Sequence, residues 1–255
     1  MAIALITAGG MGTRISQSTT PKQFMPICGM PAIVHTLRTF QNHPEIDTIC
    51  IACLDGWQDE MHSYIKKHGI SKLKHIVDGG TTNQESIFNC LTELKKYYDD
   101  NEIVLIHDGV RILVSDRIIS DCIKTTREHG NAIAFIPATE AVLVSTDNKT
   151  ANQSIPRDNL KRTQTPHGFK LGDIYNAHQT ANQMGISNTV AGCTLMIELG
   201  QPVHLYPGAE RNLKITTDED IHIARTFLKE QQQCKTSEFP NMKKFFTYWK
   251  KIFMR

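Results

Sequence analysis

The sequence predicts an α/β protein whose mostly parallel sheet is covered by helices on both faces. Three observations carry that prediction. Short, unbroken apolar runs recur along the chain: AIALIT at 2–7, DTICIAC at 47–53, IVLIH at 103–107 and AIAFI at 132–136. Such runs mark strands buried on both sides. Segments with apolar residues three and four apart lie between them, and the links are short, as in repeated strand–helix units. At 255 residues the chain is long enough for one large domain of this kind.

The elements follow in order. The run at 2–7 ends in glycines, as a buried strand entering a tight loop does. Residues 31–42 open with a proline and space Ile33, Leu37 and Phe40 as one helix face. After the strand at 47–53, residues 59–68 read as helix and 74–78 as a short strand before Gly79-Gly80. Residues 84–98 carry Ile87, Cys90, Leu91 and Leu94 at helical spacing. Strand 103–107, helix 116–128 and strand 132–136 complete the first half. From 137 to 165 the rhythm changes to two β-like pieces around a polar turn at Asp147-Asn148. That stretch has too few apolar residues for its own core, so it is expected to be an arm that packs on a second subunit. Residues 170–184 return to helix, and a helix near 190–199 follows. PVHLYPG and NLKITT are expected strands. Thr217 is the expected N-cap of a last helix, with Asp218, Glu219 and Asp220 in its first turn. The expected organisation is a domain over 1–230, a linker over 231–241 and a tail helix over 242–255.

Composition narrows the function. A formal net charge of +2 gives no global reason to expect a nucleic-acid partner. Seven scattered cysteines have no framework spacing and read as reduced cytoplasmic thiols. Cys50 and Cys53 form one C-x-x-C, but on a strand residues three apart face opposite sides, so buried thiols are expected there rather than a metal site. The start lacks the basic lead of a secretory signal, and no apolar run reaches transmembrane length. The expected location is cytoplasmic.

Chemistry enters with LITAGGMGTRI and then TTPKQF. A strand delivers the chain into Ala8, Gly9, Gly10 and Gly12, where backbone amides can approach an anion because no Cβ intervenes. Arg14 and Lys22 bring positive charge to the same mouth. The spacing matches neither the phosphate loop nor the dinucleotide fingerprint. Asp108 follows the strand IVLIH, and a carboxylate at a strand's C-terminal edge is well placed to hold Mg²⁺ between phosphate oxygens. His107 alternates to the opposite face and is expected to pack. No acid–base role is expected of any histidine.

A-G-G-x-G-x-R followed by P-K-Q-F resembles the cytidylyltransferases acting on ribitol 5-phosphate and on 2-C-methyl-D-erythritol 4-phosphate. The resemblance continues in order at VDGGTTNQESI, VLIHDGVR, IPATEAV, RTQTPHGF and NLKITTDED, and so covers about residues 2–228. HPEIDTICIAC and the arm sequence look closer to the ribitol-phosphate branch. The resemblance implies a Rossmann-like nucleotidyltransferase fold, a homodimer formed through the arm, CTP and a polyol phosphate as substrates, and a divalent cation such as Mg²⁺. It implies that Arg14, Lys22 and Lys214 are catalytic, with Lys214 on a strand end. Gly9, Gly10 and Gly12 would cradle the triphosphate, and Gly79, Gly80 and Ser86 would read the cytosine and ribose. Arg111 matches the family's H-D-x-x-R arginine and would bind substrate, and Thr139 and Arg157 would contact the polyol phosphate from the partner's arm.

The chain departs from the family pattern at Asn83, where an arginine is usual, and at Glu140 and His167. Val190-Ala191 stands where a Thr-Asp pair is expected. In the methylerythritol branch an aspartate precedes N-I-K as a second metal ligand; here Arg211 stands there, with Glu210 one step earlier. Two expectations follow: Arg211 takes over part of the metal's electrostatic role, or Glu210 supplies the second ligand. The alternatives to a ribitol-phosphate enzyme are a methylerythritol-phosphate enzyme, another sugar nucleotidyltransferase, or an inactive CTP-binding scaffold.

At the C-terminus, NMKKFFTYWKKIFMR places Met242, Phe245, Phe246, Trp249, Ile252 and Phe253 opposite Lys243, Lys244, Lys250 and Lys251. This is the pattern of an interfacial amphipathic helix that meets anionic membrane peripherally, or of a terminal helix docked on protein.

Overall fold

The structure, a computed structural model, describes residues 1–10, 20–187, 189 and 191–237, the last seven by backbone alone. Among these residues one seven-stranded sheet organises the chain. Its members are β1 (Ala2–Ala8), β4 (Thr48–Cys53), β5 (Leu73–Asp78), β6 (Ile103–Asp108), β7 (Asn131–Pro137), β10 (Lys161–Lys170) and β11 (Leu205–Pro207), in the order β11-β7-β10-β6-β1-β4-β5. A two-residue pair, β2 (Pro26–Ile27) and β3 (Met30–Pro31), precedes the first helix.

The apolar runs are continuous because each strand feeds two cores. Along β1, Ala2, Ala4, Ile6 and Ala8 join one core, while Ile3 and Leu5 join the other. The first core is closed by α1 (Ala32–Asn42), α2 (Gln58–His68) and α4 (Asp116–His129), through Ile33, Leu37, Phe40, Met61, Ile118 and Ile123. The second is closed by α3 (Asn83–Leu94), α5 (Leu171–Gln183) and α6 (Gly192–Glu198), through Ile87, Leu91, Ile174, Ala181 and Leu195. Each fully buried isoleucine or leucine contributes on the order of 1.5–3 kcal/mol. Cys50 and Cys53 fall in different cores, as alternation on a strand requires.

Local signals set the helix ends. Thr82 caps α3 by accepting from the Glu85 amide at 3.1 Å, and Ser115 caps α4 through the Ile118 amide at 3.4 Å. The last helix, α7 (Asp218–Ser237), starts after Thr217, whose hydroxyl accepts from the Asp220 amide at 3.3 Å. It packs on a third, smaller core with Ile27, Val110, Ile112 and Ile215.

Four expectations are corrected. Helix α3 ends at Leu94, and the Lys95–Tyr98 stretch forms turns. Lys161–Lys170 is not arm or loop but a ten-residue strand, antiparallel to both neighbours. Its charges and its proline hid it, since a proline breaks a central ladder. A register shift between Gln164 and His167 carries Pro166 past the ladder. NLKITT is not a strand; it begins in a turn, with the Asn212 amide bonded to the Ala209 carbonyl at 3.0 Å, joins no ladder, and bonds the Val110 carbonyl through the Ile215 amide at 3.2 Å. Helix α7 runs seven residues into the expected linker, because QQQCKTS contains no glycine or proline to stop it. The tail at 242–255 lies outside the described residues.

The expected two β-pieces after residue 137 are present as β8 (Val142–Val144) and β9 (Gln153–Ile155), an antiparallel pair that lies outside the main sheet. Asn148 adopts φ 57° in the turn between them, a conformation that asparagine tolerates. Leu143, Val144 and Ile155 are exposed in the single chain.

Candidate active site

The carboxyl ends of β1, β4, β5 and β6 frame a cavity of about 680 Å³, where open α/β sheets bind ligands. Its walls include Ala8, Gly9, Gly10, Lys22, Gly79, Gly80, Ser86, Asp108 and Lys214. Nine of the expected nucleotide-site and catalytic residues, drawn from five separate stretches of sequence, therefore meet in one place. Gly12 and Arg14 lie outside the described residues.

Glycine is required where β1 and β5 end side by side. A Cβ on Gly9 would lie 3.0 Å from the Gly79 Cα, and one on Gly79 would lie 2.9 Å from the Gly9 Cα. Any side chain there pushes the two loops apart and widens the cavity floor. Ser86 lines the cavity, but its hydroxyl is committed to the loop: it accepts from the Gly80 amide at 2.9 Å and donates to the Thr82 carbonyl at 2.9 Å. It therefore shapes the turn around Gly80. Gln23, buried, does the same for the first loop, because its side-chain amide donates to the Ala8 carbonyl at 2.8 Å and the Gly10 carbonyl at 2.9 Å. With those carbonyls drawn back, the intervening amides are left to the cavity side.

Asp108 forms the electrostatic centre. Lys214 Nζ donates to its Oδ1 at 3.0 Å and Arg111 Nε to its Oδ2 at 2.9 Å. Burial alone would raise the Asp108 carboxyl, but the Lys214 ammonium and the Arg111 guanidinium outweigh it and hold the group well below the usual carboxylate range. Asp108 is thus a carboxylate near neutral pH. His107 is fully buried and stacks obliquely on Phe40 at 5.0 Å, as expected from strand alternation. Burial pushes its imidazole down to about 4, so it is neutral near pH 7.

A second cavity of about 220 Å³ adjoins the first and shares Thr7, Asn83, Asp108 and Lys214 with it. Arg111, Thr165 and His167 belong to its wall. A departure from the family pattern thus lies at the junction of both cavities, at Asn83, and another lies inside the smaller one, at His167.

Against both expectations, the structure places Arg211 and Glu210 off the two cavities. Arg211 lies over the Phe227 ring at 4.6 Å and 3.7 Å from Glu230, on the α7 side. Glu210 accepts from Arg162 Nη2, which lies 3.0 Å from each of its carboxylate oxygens. Each has a nearer opposite charge on an exposed surface. Thr139 and Arg157 meet each other, Arg157 Nη1 donating to the Thr139 carbonyl at 2.8 Å, but neither lines the two cavities of its own chain.

Sequence reading missed Gln23, Thr165 and Asn212. The signal for Gln23 was its place in P-K-Q-F; for Asn212 it was a polar residue inside an otherwise apolar-spaced N-L-K-I. Nothing local marks Thr165, whose partners lie 57 and 58 positions away.

The model of the family described as "IspD: 2-C-methyl-D-erythritol 4-phosphate cytidylyltransferase" matches residues 2–230. A ribitol-5-phosphate cytidylyltransferase of Vibrio parahaemolyticus is 38% identical over 91% of this chain and 98% of its own. A 2-C-methyl-D-erythritol 4-phosphate cytidylyltransferase of Clostridium novyi is 35% identical over 91% of this chain and 98% of its own. The crystal structure of 4-diphosphocytidyl-2C-methyl-D-erythritol synthase from Anaerococcus prevotii superposes with a TM-score of 0.75 at 26% identity, over 89% of this chain and 98% of that one. With the site assembled as its motifs require and the match running from β1 into α7, the chain belongs to the IspD cytidylyltransferase family.

Proposed function

We propose that the chain joins CTP to ribitol 5-phosphate, giving CDP-ribitol and pyrophosphate. The observation that carries this reading is the convergence of Lys22, Lys214 and Asp108 with the glycine loop on one cavity. An oxygen of the acceptor phosphate bonds to the α-phosphorus of CTP. The bond from that phosphorus to the bridging oxygen breaks, and its electron pair leaves with pyrophosphate. Two anions must approach, so the protein's task is to offset charge where it accumulates. Lys22 at the glycine loop, with Arg14 expected beside it, meets the triphosphate. Lys214 is poised between nucleotide and acceptor cavities. No protein base is needed, because the attacking phosphate is already ionised, and a neutral, buried His107 supports that economy.

The residues fit Mg²⁺ held with its nucleotide. Among the described residues no three His, Cys, Asp or Glu side chains cluster as a protein cage. One ionised carboxylate facing a phosphate-sized cavity is the usual protein share of a Mg²⁺–nucleotide site. Asp108 would hold the cation, which would supply positive charge to the phosphate oxygens. The exposed apolar residues of the β8–β9 arm support a homodimer in which Thr139 and Arg157 reach the partner's acceptor cavity.

Ribitol 5-phosphate is favoured by the 38% identical relative of that name and by the aspartate missing before Asn212. Methylerythritol phosphate is the second reading, supported by the family description. Pyrophosphate release from CTP and Mg²⁺ over a panel of polyol phosphates tests both. Ribitol 5-phosphate is expected to give the highest kcat/KM, by about tenfold or more. A preference for methylerythritol phosphate would sink the first reading. CTP binding without turnover on any acceptor would leave a scaffold.

A further inference from the structure

The geometry points to His107 and Asn212 as positioning residues that set where Lys214 stands against Asp108, a reading that rests on the cytidylyl transfer proposed above. Lys214 sits on the irregular segment between Gly208 and Thr217, which belongs to no helix or sheet ladder. Beyond one backbone bond, from Ile215 to the Val110 carbonyl, something other than secondary structure must hold the backbone that carries it. Side chains do so. Gln164 exchanges two bonds with the Ala209 backbone, at 2.8 and 3.1 Å. Asn212, fully buried and lining neither cavity, donates from Nδ2 to the Thr165 carbonyl at 2.8 Å.

Asn212 also closes a ring of hydrogen bonds through three separate segments. Its own carbonyl accepts from Arg111 Nη1 at 2.8 Å. The Arg111 carbonyl lies 3.2 Å from His107 Nε2. His107 Nδ1 lies 3.1 Å from Thr165 Oγ1, and the Thr165 carbonyl leads back to Asn212. One proton assignment satisfies the ring. The Arg111 carbonyl can only accept, so neutral His107 carries its hydrogen on Nε2 and donates it there. His107 Nδ1 is then an acceptor and takes the proton of the Thr165 hydroxyl, which itself accepts from the Asp108 amide at 3.0 Å. Asp108 stands inside the ring, its amide held by Thr165 and its carboxylate by Arg111 and Lys214. The ring therefore joins the loop that presents Asp108 to the loop that presents Lys214.

A shift of about 1 Å in such groups costs on the order of 10²-fold in rate. Asn212→Leu, His107→Phe and Thr165→Val each break the ring with little change in volume, whereas Thr165→Ser keeps the hydroxyl. The experiment measures kcat and KM for CTP in the full-length variants, alongside melting temperature. In the three ring-breaking variants kcat is expected to fall about 10–100-fold, with KM for CTP within about threefold. Thr165→Ser, which restores the hydroxyl, is expected to keep about tenfold more kcat than Thr165→Val. Equal losses in Thr165→Ser and Thr165→Val would overturn the inference. So would native kcat in folded Asn212→Leu and His107→Phe, or a loss confined to KM for CTP. If either of those two does not fold, the Thr165 pair decides alone. Should the native protein turn over no acceptor, the functional reading fails, and the ring is read without catalysis. The NMR signal of ¹³C-methylated Lys214 is then expected to move to the position of solvent-exposed lysines in Thr165→Val and to stay in Thr165→Ser; no difference between the two overturns the ring.

Discussion

Asp108 carries two cations of unlike freedom. Arg111 is as buried as the carboxylate, while Lys214 is 43% exposed. The buried partner is held on both sides by Asp108 and the Asn212 carbonyl, and the exposed one is freer to turn to a ligand. Lys214→Met is therefore expected to remove about 10² or more in kcat/KM while the melting temperature stays near native. Asp108→Asn is expected to cost a similar factor and also about 2 kcal/mol of stability, because Arg111 loses a charged acceptor; urea unfolding of the two variants separates these outcomes. Elsewhere, His178 shows what an unpartnered ring does. Both its nitrogens are buried without a hydrogen-bond partner among the described residues, and it stacks on Phe88 at 5.9 Å. Burial pushes its imidazole down from 6.5 to about 4. The unfolded chain therefore takes up a proton first as pH falls, and stability that is complete above about pH 7 is lost between 6.5 and 4. His178→Leu is expected to be near neutral at pH 7 and about 2–3 kcal/mol more stable than the native protein at pH 4.5, as measured by urea unfolding.

At the scale of elements, β10 explains how distant motifs meet. It inserts antiparallel between β7 and β6, so that Thr165 and His167 arrive beside the end of the strand that carries Asp108. Its composition gives no strand signal, since its pairing partners, not its own propensities, stabilise it. The arm makes the opposite case: its two short strands and polar turn were legible, but the role proposed for it needs a second copy of the chain. If Arg157 serves the partner's site, mixing Arg157→Ala with Lys214→Met chains should restore activity that neither has alone. Mixed dimers then contain one intact site, and up to about a quarter of native activity returns. Activity that stays at the level of the parents would show that Arg157 serves its own chain or none. Leu143→Glu is expected to shift the dimer toward monomer in light scattering, because it places a charge on the exposed apolar face of the arm.

Across the whole molecule, the two cores on opposite faces of one sheet leave the strand ends as the surface on which loops can meet. The basic, aromatic tail lies outside the described residues, and its pattern in the sequence is what carries an expectation. Full-length protein is expected to sediment with anionic vesicles at low salt, and a chain ending at Ser237 is not; equal sedimentation would exclude the tail as the membrane contact. Strand and helix identity could be read from the sequence wherever a side chain answers to its own neighbours: the unbroken apolar run in Ala2–Ala8, the cap at Thr217, the glycines at 9 and 79. The family motifs likewise named Lys22, Asp108 and Lys214 before any geometry. The destination of Arg211 and Glu210, the strand at Lys161–Lys170, and the bonds that hold Asn212 depend on partners 16 to 101 positions away. A charge seeks the nearest opposite charge in space, and an extended segment pairs with whatever edge the fold presents. Local sequence determined what each residue is able to do, and three-dimensional proximity decided which of those capacities is used.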